Sequence, residues 1–209
     1  MPRPSTHTDR RLLEAGRKML VKHGIREVSL RQVAEAAGVN LGMFHYHFKT
    51  KDEFIRLVLQ ECYEEFFARL EEEAHRESAE RSSHERLRRL LEVLATYVCE
   101  HRELVSLLIK EVLSGNRLVL QFVAKNVPRH GKLMLNAIQD ALKEGAIRKD
   151  LSAFQVAMLC LSNIGSAALI SGTLERLKPA FLKPFLKTDS YAQDIFEKRV
   201  DFIMRGLRP

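Results

Sequence analysis

The chain has 209 residues, of which 45% are hydrophobic and 29% are charged, and its formal net charge is +7. It is long enough for one large domain or for a small and a larger domain, and its composition is that of an ordinary soluble globular protein. The three cysteines, Cys62, Cys99 and Cys160, are odd in number and lack C-x-x-C spacing, which argues against a disulfide framework or a zinc site and indicates a reducing cytoplasm.

The positive charge is concentrated in the first quarter of the chain. Residues 1–51 contain ten Lys and Arg against four Asp and Glu, a net charge of +6. The remaining residues contain 24 basic and 23 acidic side chains and add only +1. Because clustered basic side chains attract a phosphate backbone without regard to base sequence, the first quarter is a candidate for binding nucleic acid.

Apolar residues recur at helical spacing in almost every segment, and no segment alternates with the period of a strand, which predicts an all-α fold of about nine helices. The helices are expected at Thr8–His23, Leu30–Ala37, Leu41–His47, Lys51–His75, Ser83–His101, Glu103–Leu113, Arg117–Glu144, Ser152–Leu174 and Ser190–Leu207. Capping-box sequences mark four of the helix starts, at Ser29, Thr50, Ser82 and Ser152. Pro128 is expected to interrupt or kink the seventh helix, because it lacks an amide donor.

Within the basic first quarter, Ser29–Phe48 is typical of a helix-turn-helix. Apolar side chains line one face of a first short helix, Leu30–Ala37. Gly38 supplies the left-handed residue that ends this helix, and Asn40 can cap the next one. The predicted result is two short helices joined by a tight turn.

The second helix of this motif has two distinct sides. At about 100° per residue, Phe44 and Phe48 fall on the inner side and are expected to pack against the preceding helices. The outward side is centred on Gly42 and Tyr46. Its flanks are formed by Leu41, Met43, His45 and His47. A glycine on such a face costs roughly 1 kcal/mol of helix stability relative to alanine, which makes sense if the DNA major groove must approach the backbone closely.

Basic side chains beside this helix are further candidates for contact with DNA. Lys51 occupies the first turn of a helix, where the dipole disfavours a cation, and a bound phosphate would remove that conflict. A solvated lysine with weak dipole repulsion explains the position nearly as well. Arg31 can reach a base edge or a phosphate. His45 and His47 lie on different sides of the helix, so no metal site is predicted.

These residues resemble a known family signature. The string SLRQVAEAAGVN at residues 29–40, then Gly42, Phe44, HYHF and KTKD, is similar to the N-terminal motif of the TetR family of bacterial transcriptional regulators. The resemblance implies a homodimeric regulator with a DNA-binding domain at residues 1–51 and a helical effector-binding and dimerisation domain at residues 52–209. The DNA-binding positions that it implies are Arg31, Leu41, Gly42, Met43, His45, Tyr46, His47 and Lys51.

The chain departs from the family pattern on the DNA-reading helix. The family commonly has Ser or Thr at position 40, a polar or basic residue at 41, Thr at 43 and Tyr at 45. This chain has Asn40, Leu41, Met43 and His45. With so few donors, base reading would depend on apolar contact with thymine methyl groups and on Arg31, so the operator sequence does not follow from these residues.

Beyond the motif, the segment Leu151–Leu174 contains no charged residue and has the length of a membrane-spanning helix. Polar side chains scattered through it argue against a span, and we expect a helix buried on most of its faces by protein. With the last helix it could form a four-helix dimer interface. The residues expected there are Gly165, Ser166, Ala167, Ala168, Ser171, Gly172, Tyr191, Ile195, Phe196, Val200, Phe202 and Ile203.

A pocket for a small-molecule effector is implied by the resemblance. Residues that combine apolar area with isolated polar groups are plausible linings, although residues of these types are more often structural than part of a binding site. They are Tyr97, His101, Phe122, Met134, Met158 and Asn163. Few charges accompany them, which favours a hydrophobic effector.

The leading hypothesis is a cytoplasmic, ligand-responsive repressor that binds a palindromic DNA operator as a homodimer and is released by a small hydrophobic effector. The alternative is a DNA-bound structural or adaptor protein without an effector. An enzyme is not predicted, since H-E-x-x-H, G-x-S-x-G and phosphate-loop motifs are all missing from the sequence. No cofactor or membrane partner is expected.

Overall fold

The computed structural model describes residues 7–76, 82–177 and 193–209, and these residues form helices and connections without a strand. The helices are α1 (His7–Glu27), α2 (Leu30–Ala36), α3 (Leu41–His47), α4 (Lys51–His75), α5 (Ser83–Glu100), α6 (Arg102–Leu113), α7 (Arg117–Lys143), α8 (Ala153–Leu177) and α9 (Gln193–Gly206). The prediction of an all-α fold is confirmed. The predicted start of the last helix at Ser190 lies outside the described residues.

Side-chain caps explain three of the four marked helix starts. At α8 the box is complete, with the Gln155 amide donating to Ser152 Oγ at 3.3 Å and the Ser152 amide donating to Gln155 Oε1 at 2.8 Å. Ser82 accepts from the first turn of α5, and Thr50 accepts from the first turn of α4. Ser29 precedes α2 but makes no side-chain cap, so the predicted capping box is absent there.

The backbone breaks at a glycine and not at the internal proline. In α1, Gly24 adopts φ 82° and ψ 169°, which separates the last turn from the body of the helix and agrees with the predicted end at His23. By contrast, α7 continues from Arg117 to Lys143 through Pro128. The helix is therefore not interrupted at Pro128, and a kink there stays a prediction. A proline inside a helix removes one backbone hydrogen bond and costs about 3 kcal/mol, which other interactions of the folded chain must offset.

The chain divides into two compact units. One comprises Met1–Glu65 with Lys110–Lys125, and the other comprises Phe66–Ile109 with Asn126–Pro209. Helices α4 and α7 each contribute residues to both units. The functional division between residues 51 and 52 stays a prediction.

The core of the first unit depends on close contact between α1 and α4. Gly16 lies buried in α1, and a Cβ atom placed there would come within 2.4 Å of Phe54 Cζ and 2.9 Å of Val58 Cγ2. Phe54 and Val58 are both fully buried. Arg17 Nη1 also donates to Glu65 Oε2 of α4 at 3.2 Å. A glycine at position 16 therefore sets the distance between these two helices.

The core of the second unit joins α5, α7, α8 and α9. Its buried members include Leu91, Ile138, Val156 and Val200, each fully shielded from solvent. The packing explains why α5, α7 and α9 alternate apolar and charged faces. The Glu144 carboxylate follows α7 and accepts from the Ser83 amide at 3.3 Å, which satisfies a free donor at the start of α5.

We expect acid to weaken the link between Glu144 and α5. The Ser83 side chain, the Ser83 amide and Arg86 hold the pKa of Glu144 below its ordinary value of 4.5. A carboxyl whose pKa is lowered on folding stabilises the fold above its unfolded pKa and loses that contribution as the pH falls through the folded value. The stability difference between wild type and Glu144→Gln should be largest at neutral pH and should shrink below pH 4.5.

Urea denaturation followed by circular dichroism at several pH values measures this difference. Glu197→Gln, at an exposed position of α9, is the matched control. A difference between wild type and Glu144→Gln that does not change with pH would contradict the assignment.

Candidate nucleic-acid interface

The connection between α2 and α3 has the geometry of a helix-turn-helix. Gly38 adopts φ 66°, and the Val39 amide donates to the Ala34 carbonyl at 3.0 Å, which closes the end of α2. Asn40 Oδ1 accepts from the Met43 amide at 2.7 Å and so caps α3. The predicted roles of Gly38 and Asn40 are confirmed.

Three packed phenylalanine rings hold the inner side of α3. Phe44 and Phe48 are 0% and 3% exposed, as predicted. Their ring centroids lie 4.9 and 5.0 Å from that of Phe54, and 5.2 Å from each other. Such edge-on contacts add to the free energy of burial, so the inner side fixes α3 on α4.

The outer side of α3 is open to solvent. Tyr46 is 64% exposed, and Leu41 and Met43 are each 39% exposed. Gly42 is also exposed, and a Cβ at this position would meet only Asn40 Oδ1, at 3.3 Å. His45 is exposed as well. The surface is thus a convex helix with a notch of bare backbone beside a projecting tyrosine, a shape that fits a DNA major groove.

His47 lies differently from the other outer residues. Its side chain is only 7% exposed, and Nδ1 contacts Oδ1 of Asp9 on α1. The helical-wheel prediction of an exposed flank was therefore wrong for this residue, because a carboxylate from another helix offers the imidazole a partner that local periodicity does not reveal. A DNA contact by His47 stays a prediction.

Both basic residues that are predicted to contact DNA have partners within the protein. Lys51 Nζ donates to the Arg26 carbonyl at the end of α1, at 2.7 Å. This bond uses one of three ammonium donors and leaves capacity for a phosphate. Arg31 Nε donates to Glu35 Oε1 at 3.2 Å, but both side chains are largely exposed and such surface pairs contribute little. Arg31 can therefore leave Glu35 for DNA at small cost.

Removal of Lys51 should affect DNA binding and stability together. If the ammonium contacts a phosphate, Lys51→Ala lowers the affinity for every duplex and reduces the salt slope by about one unit. It also leaves the Arg26 carbonyl without this donor, so the melting temperature should fall. Salt titrations of DNA binding and thermal melts measure the two effects. Lys132→Ala removes the same charge from an exposed position of α7 and serves as the control. A salt slope equal to that of wild type would refute the phosphate contact.

Together, the tight turn, the capped α3 and its exposed outer side define a helix-turn-helix, a motif that binds DNA. Residues 12–58 match the family model described as "Bacterial regulatory proteins, tetR family". The first quarter of the chain is therefore similar to the N-terminal domain of this family.

Curated relatives have matching descriptions. The chain is 24% identical over 137 residues to the probable HTH-type transcriptional regulator YttP of Bacillus subtilis (strain 168), a match that covers 66% of each protein. It is 25% identical over 155 residues to the HTH-type transcriptional repressor KstR2 of Mycolicibacterium smegmatis, covering 71% of this chain and 72% of KstR2. Both relatives are named as transcriptional regulators.

Solved structures share the fold over nearly the whole chain. The transcriptional regulator FadR from Bacillus subtilis, in complex with stearoyl-CoA, has a TM-score of 0.74 at 14% identity and covers 95% of this chain and 99% of its own. The ketosteroid transcriptional regulator KstR2 of Mycobacterium tuberculosis has a TM-score of 0.73 at 18% identity and covers 98% and 97%. At these identities the likeness shows the fold.

The predicted effector residues do not form one group. Met134 packs against the core of the second unit, and Met158 is 42% exposed on α8. The Asn163 backbone carbonyl accepts from Arg199 at 2.6 Å. Phe122 belongs to the first unit, where its ring lies 6.2 Å from that of Tyr63. These four residues therefore do not converge on one site with each other, and their contact with an effector stays a prediction.

Tyr97 and His101 do come together, with ring centroids 4.3 Å apart. They belong to a larger group of rings that was not predicted: Phe66 lies 4.8 Å from Tyr97 and 5.5 Å from His130. Burial lowers the pKa of His130 below its ordinary 6.5, which favours the neutral imidazole. We call Phe66, Tyr97, His101 and His130 the aromatic cluster. These residues come from three helices, so periodicity along one helix could not reveal it.

Helix α8 presents an apolar face to solvent. Residues 153–170 have a mean hydropathy of 1.7, yet only 28% of them are buried. The expectation of a helix buried on most faces is therefore wrong for the single chain. The exposed members of this face are Phe154, Met158, Leu159, Leu161 and Ile170. One helix of this length and composition is weak evidence for a membrane span.

The residues predicted to form a dimer interface differ in their exposure to solvent. Phe202 is 71% exposed on α9, and Gly165 and Ser166 are half-buried on α8. Five others are buried inside the chain and cannot form an interface as they stand: Ala167, Ala168, Phe196, Val200 and Ile203. Ile195 is half-buried. Tyr191 lies outside the described residues, and the exposure of Ser171 and Gly172 is likewise outside the described part of the structure.

Among the described residues, no group of three or more His, Cys, Asp or Glu could hold a metal ion.

Proposed function

We propose that the chain is a ligand-responsive transcriptional repressor that binds a palindromic operator as a homodimer and is released by a small hydrophobic effector. The observation that carries the proposal is the outer side of α3, where Gly42 and Tyr46 lie exposed on a helix held from behind by buried phenylalanines. This surface can enter a major groove without rearrangement of the core.

Operator selection tests the DNA-binding part. Genomic fragments captured by the purified protein should share a palindromic sequence. Binding to that sequence should exceed binding to a scrambled duplex by about a thousandfold or more at physiological salt. Equal affinity for both duplexes would overturn the proposal.

Dimerisation is supported by the exposed apolar face of α8. Two half-sites related by symmetry require two reading helices with matching symmetry, and a second copy placed on α8 would supply them. A second copy would also remove from water the large apolar side chains that the single chain leaves exposed.

A charge on this face should separate the dimer. Leu161→Glu places a carboxylate in the proposed interface, where burial without a partner is costly. We expect a monomer in analytical ultracentrifugation and an operator affinity lower by roughly a hundredfold, because the two half-sites no longer bind as one linked unit. Leu113→Glu makes the same change at a leucine of α6 that is 77% exposed, and it should stay dimeric. A dimeric Leu161→Glu would count against α8 as the interface.

The proposed effector site is the aromatic cluster of the second unit. It combines apolar rings with imidazole and phenol groups that can orient a ligand. The same unit buries the hydroxyl of Ser106 without a hydrogen-bond partner among the described residues, as expected where a ligand supplies one. The structurally similar FadR holds stearoyl-CoA, which supports a hydrophobic class of effector.

Release would follow from linkage: an effector that binds more tightly to a conformation with misplaced reading helices lowers the affinity for DNA. Because α4 begins next to α3 and ends in the second unit, its movement is the proposed coupling. Thermal-shift measurements with acyl-CoA and steroid series should identify compounds that stabilise the protein and release the operator. If every compound that binds leaves operator affinity unchanged, the adaptor hypothesis replaces the ligand-responsive one.

A further inference from the structure

A polar link joins the DNA-reading helix to the first helix of the chain. His47 lies in the last turn of α3, and its Nδ1 contacts Oδ1 of Asp9 in the first turn of α1. The side chains are 7% and 15% exposed. The contact is thus largely shielded from water, where a polar interaction with a carboxylate is screened less than at an open surface.

The link acts on a helix that cannot hold its own position. With seven residues, α3 is too short to be stable alone, so tertiary contacts set where it lies and how it is rotated. Phe44 and Phe48 anchor its inner side through apolar packing, which is not directional. The contact between His47 and Asp9 lies off that inner side and joins α3 to another helix, so it restrains rotation about the helix axis.

Rotation of α3 matters because Tyr46, the residue before His47, lies on the exposed outer side of the helix. The Tyr46 and His47 rings stand at 90° to each other with centroids 5.2 Å apart. A change in the orientation of the His47 imidazole would therefore also change the packing of the Tyr46 ring. The chain of contacts runs from Asp9 through His47 to Tyr46.

We infer that Asp9 and His47 are positioning residues for operator recognition: the pair sets the rotation of α3, and His47 acts through the protein and not by touching a base. This inference rests on the proposed DNA-binding function. It assigns a role in binding DNA to an acidic residue of α1, whose charge alone would repel the phosphate backbone.

The sign of the effect of Asp9→Ala tests the inference. On electrostatic grounds alone, removal of an anion from a basic domain should strengthen binding to every duplex. If Asp9 positions α3, operator affinity should instead fall by about tenfold, because α3 is no longer held in the orientation that the operator requires. Affinity for a scrambled duplex should stay equal or rise, so the ratio of the two affinities falls. A general loss of folded protein would lower both affinities equally.

Matched variants test whether the two side chains act together. Glu14→Ala removes an exposed anion from the same helix, one that bonds to Arg10, and it should not lower operator affinity. Asp9→Asn keeps an acceptor oxygen and should restore part of the affinity. The double variant with His47→Ala should bind the operator no more weakly than His47→Ala alone. Additive losses would show that His47 touches DNA directly and would overturn the inference.

A measurement without DNA distinguishes failure of this inference from failure of the proposed function. Amide hydrogen exchange in residues 41–48 should be faster in Asp9→Ala than in Glu14→Ala, with little difference in α5. Unchanged exchange in α3 would refute the link whether or not an operator exists. Faster exchange, in a protein that shows no operator preference, would leave the link in place and reject only the proposed function.

Discussion

Leucine in place of Gly42 is expected to weaken operator binding by roughly a hundredfold while leaving the free protein as stable as wild type or more so. Within the protein, a Cβ at this position meets only Asn40 Oδ1 at 3.3 Å, so a small shift of the cap accommodates it. Leucine is also a better helix former than glycine. In the complex the new side chain would project into the groove, where overpacking costs about 3 kcal/mol.

Opposite signs for stability and binding make this prediction specific. Thermal melts and operator titrations measure the two quantities on the same protein. Gly131→Leu is the matched control, since a Cβ at this helical glycine of α7 meets open space, and its operator binding should be unchanged. Normal operator affinity in Gly42→Leu would show that this part of α3 does not enter the groove, and the proposed interface would be rejected.

Alanine in place of Gly16 should destabilise the first unit by about 2 kcal/mol or more, although the same change in an open helix stabilises by up to about 1 kcal/mol. The added methyl group would lie 2.4 Å from Phe54 Cζ, far inside contact distance. Phe54 is fully buried and packs on both Phe44 and Phe48, so it cannot move without disturbing α3. We therefore expect weaker operator binding as well.

Chemical denaturation gives the change in unfolding free energy, and Gly131→Ala shows what a glycine-to-alanine change does in an uncrowded helix. The two variants should shift stability in opposite directions. Should Gly16→Ala match Gly131→Ala, the close contact between α1 and α4 would not be a requirement of the fold.

Several features of the helix-turn-helix segment have causes in the local sequence. Residues near one another in the chain predicted the helical periodicity of this segment, the positive φ of Gly38 and the Asn40 cap. They also predicted the burial of Phe44 and Phe48. Local sequence determines these features because turn chemistry and helix periodicity act over a few residues. For this reason the helix-turn-helix and the buried side of α3 could be predicted from the sequence alone.

Contacts between residues that are distant in the chain could not be predicted from the local sequence. The partners of His47 and Lys51 lie on α1, the aromatic cluster draws on three helices, and α7 continues through Pro128. The open apolar face of α8 likewise depends on which sides the neighbouring helices cover. Each is decided by how helices pack in three dimensions, since a side chain responds to the groups beside it in space, whatever their distance along the sequence.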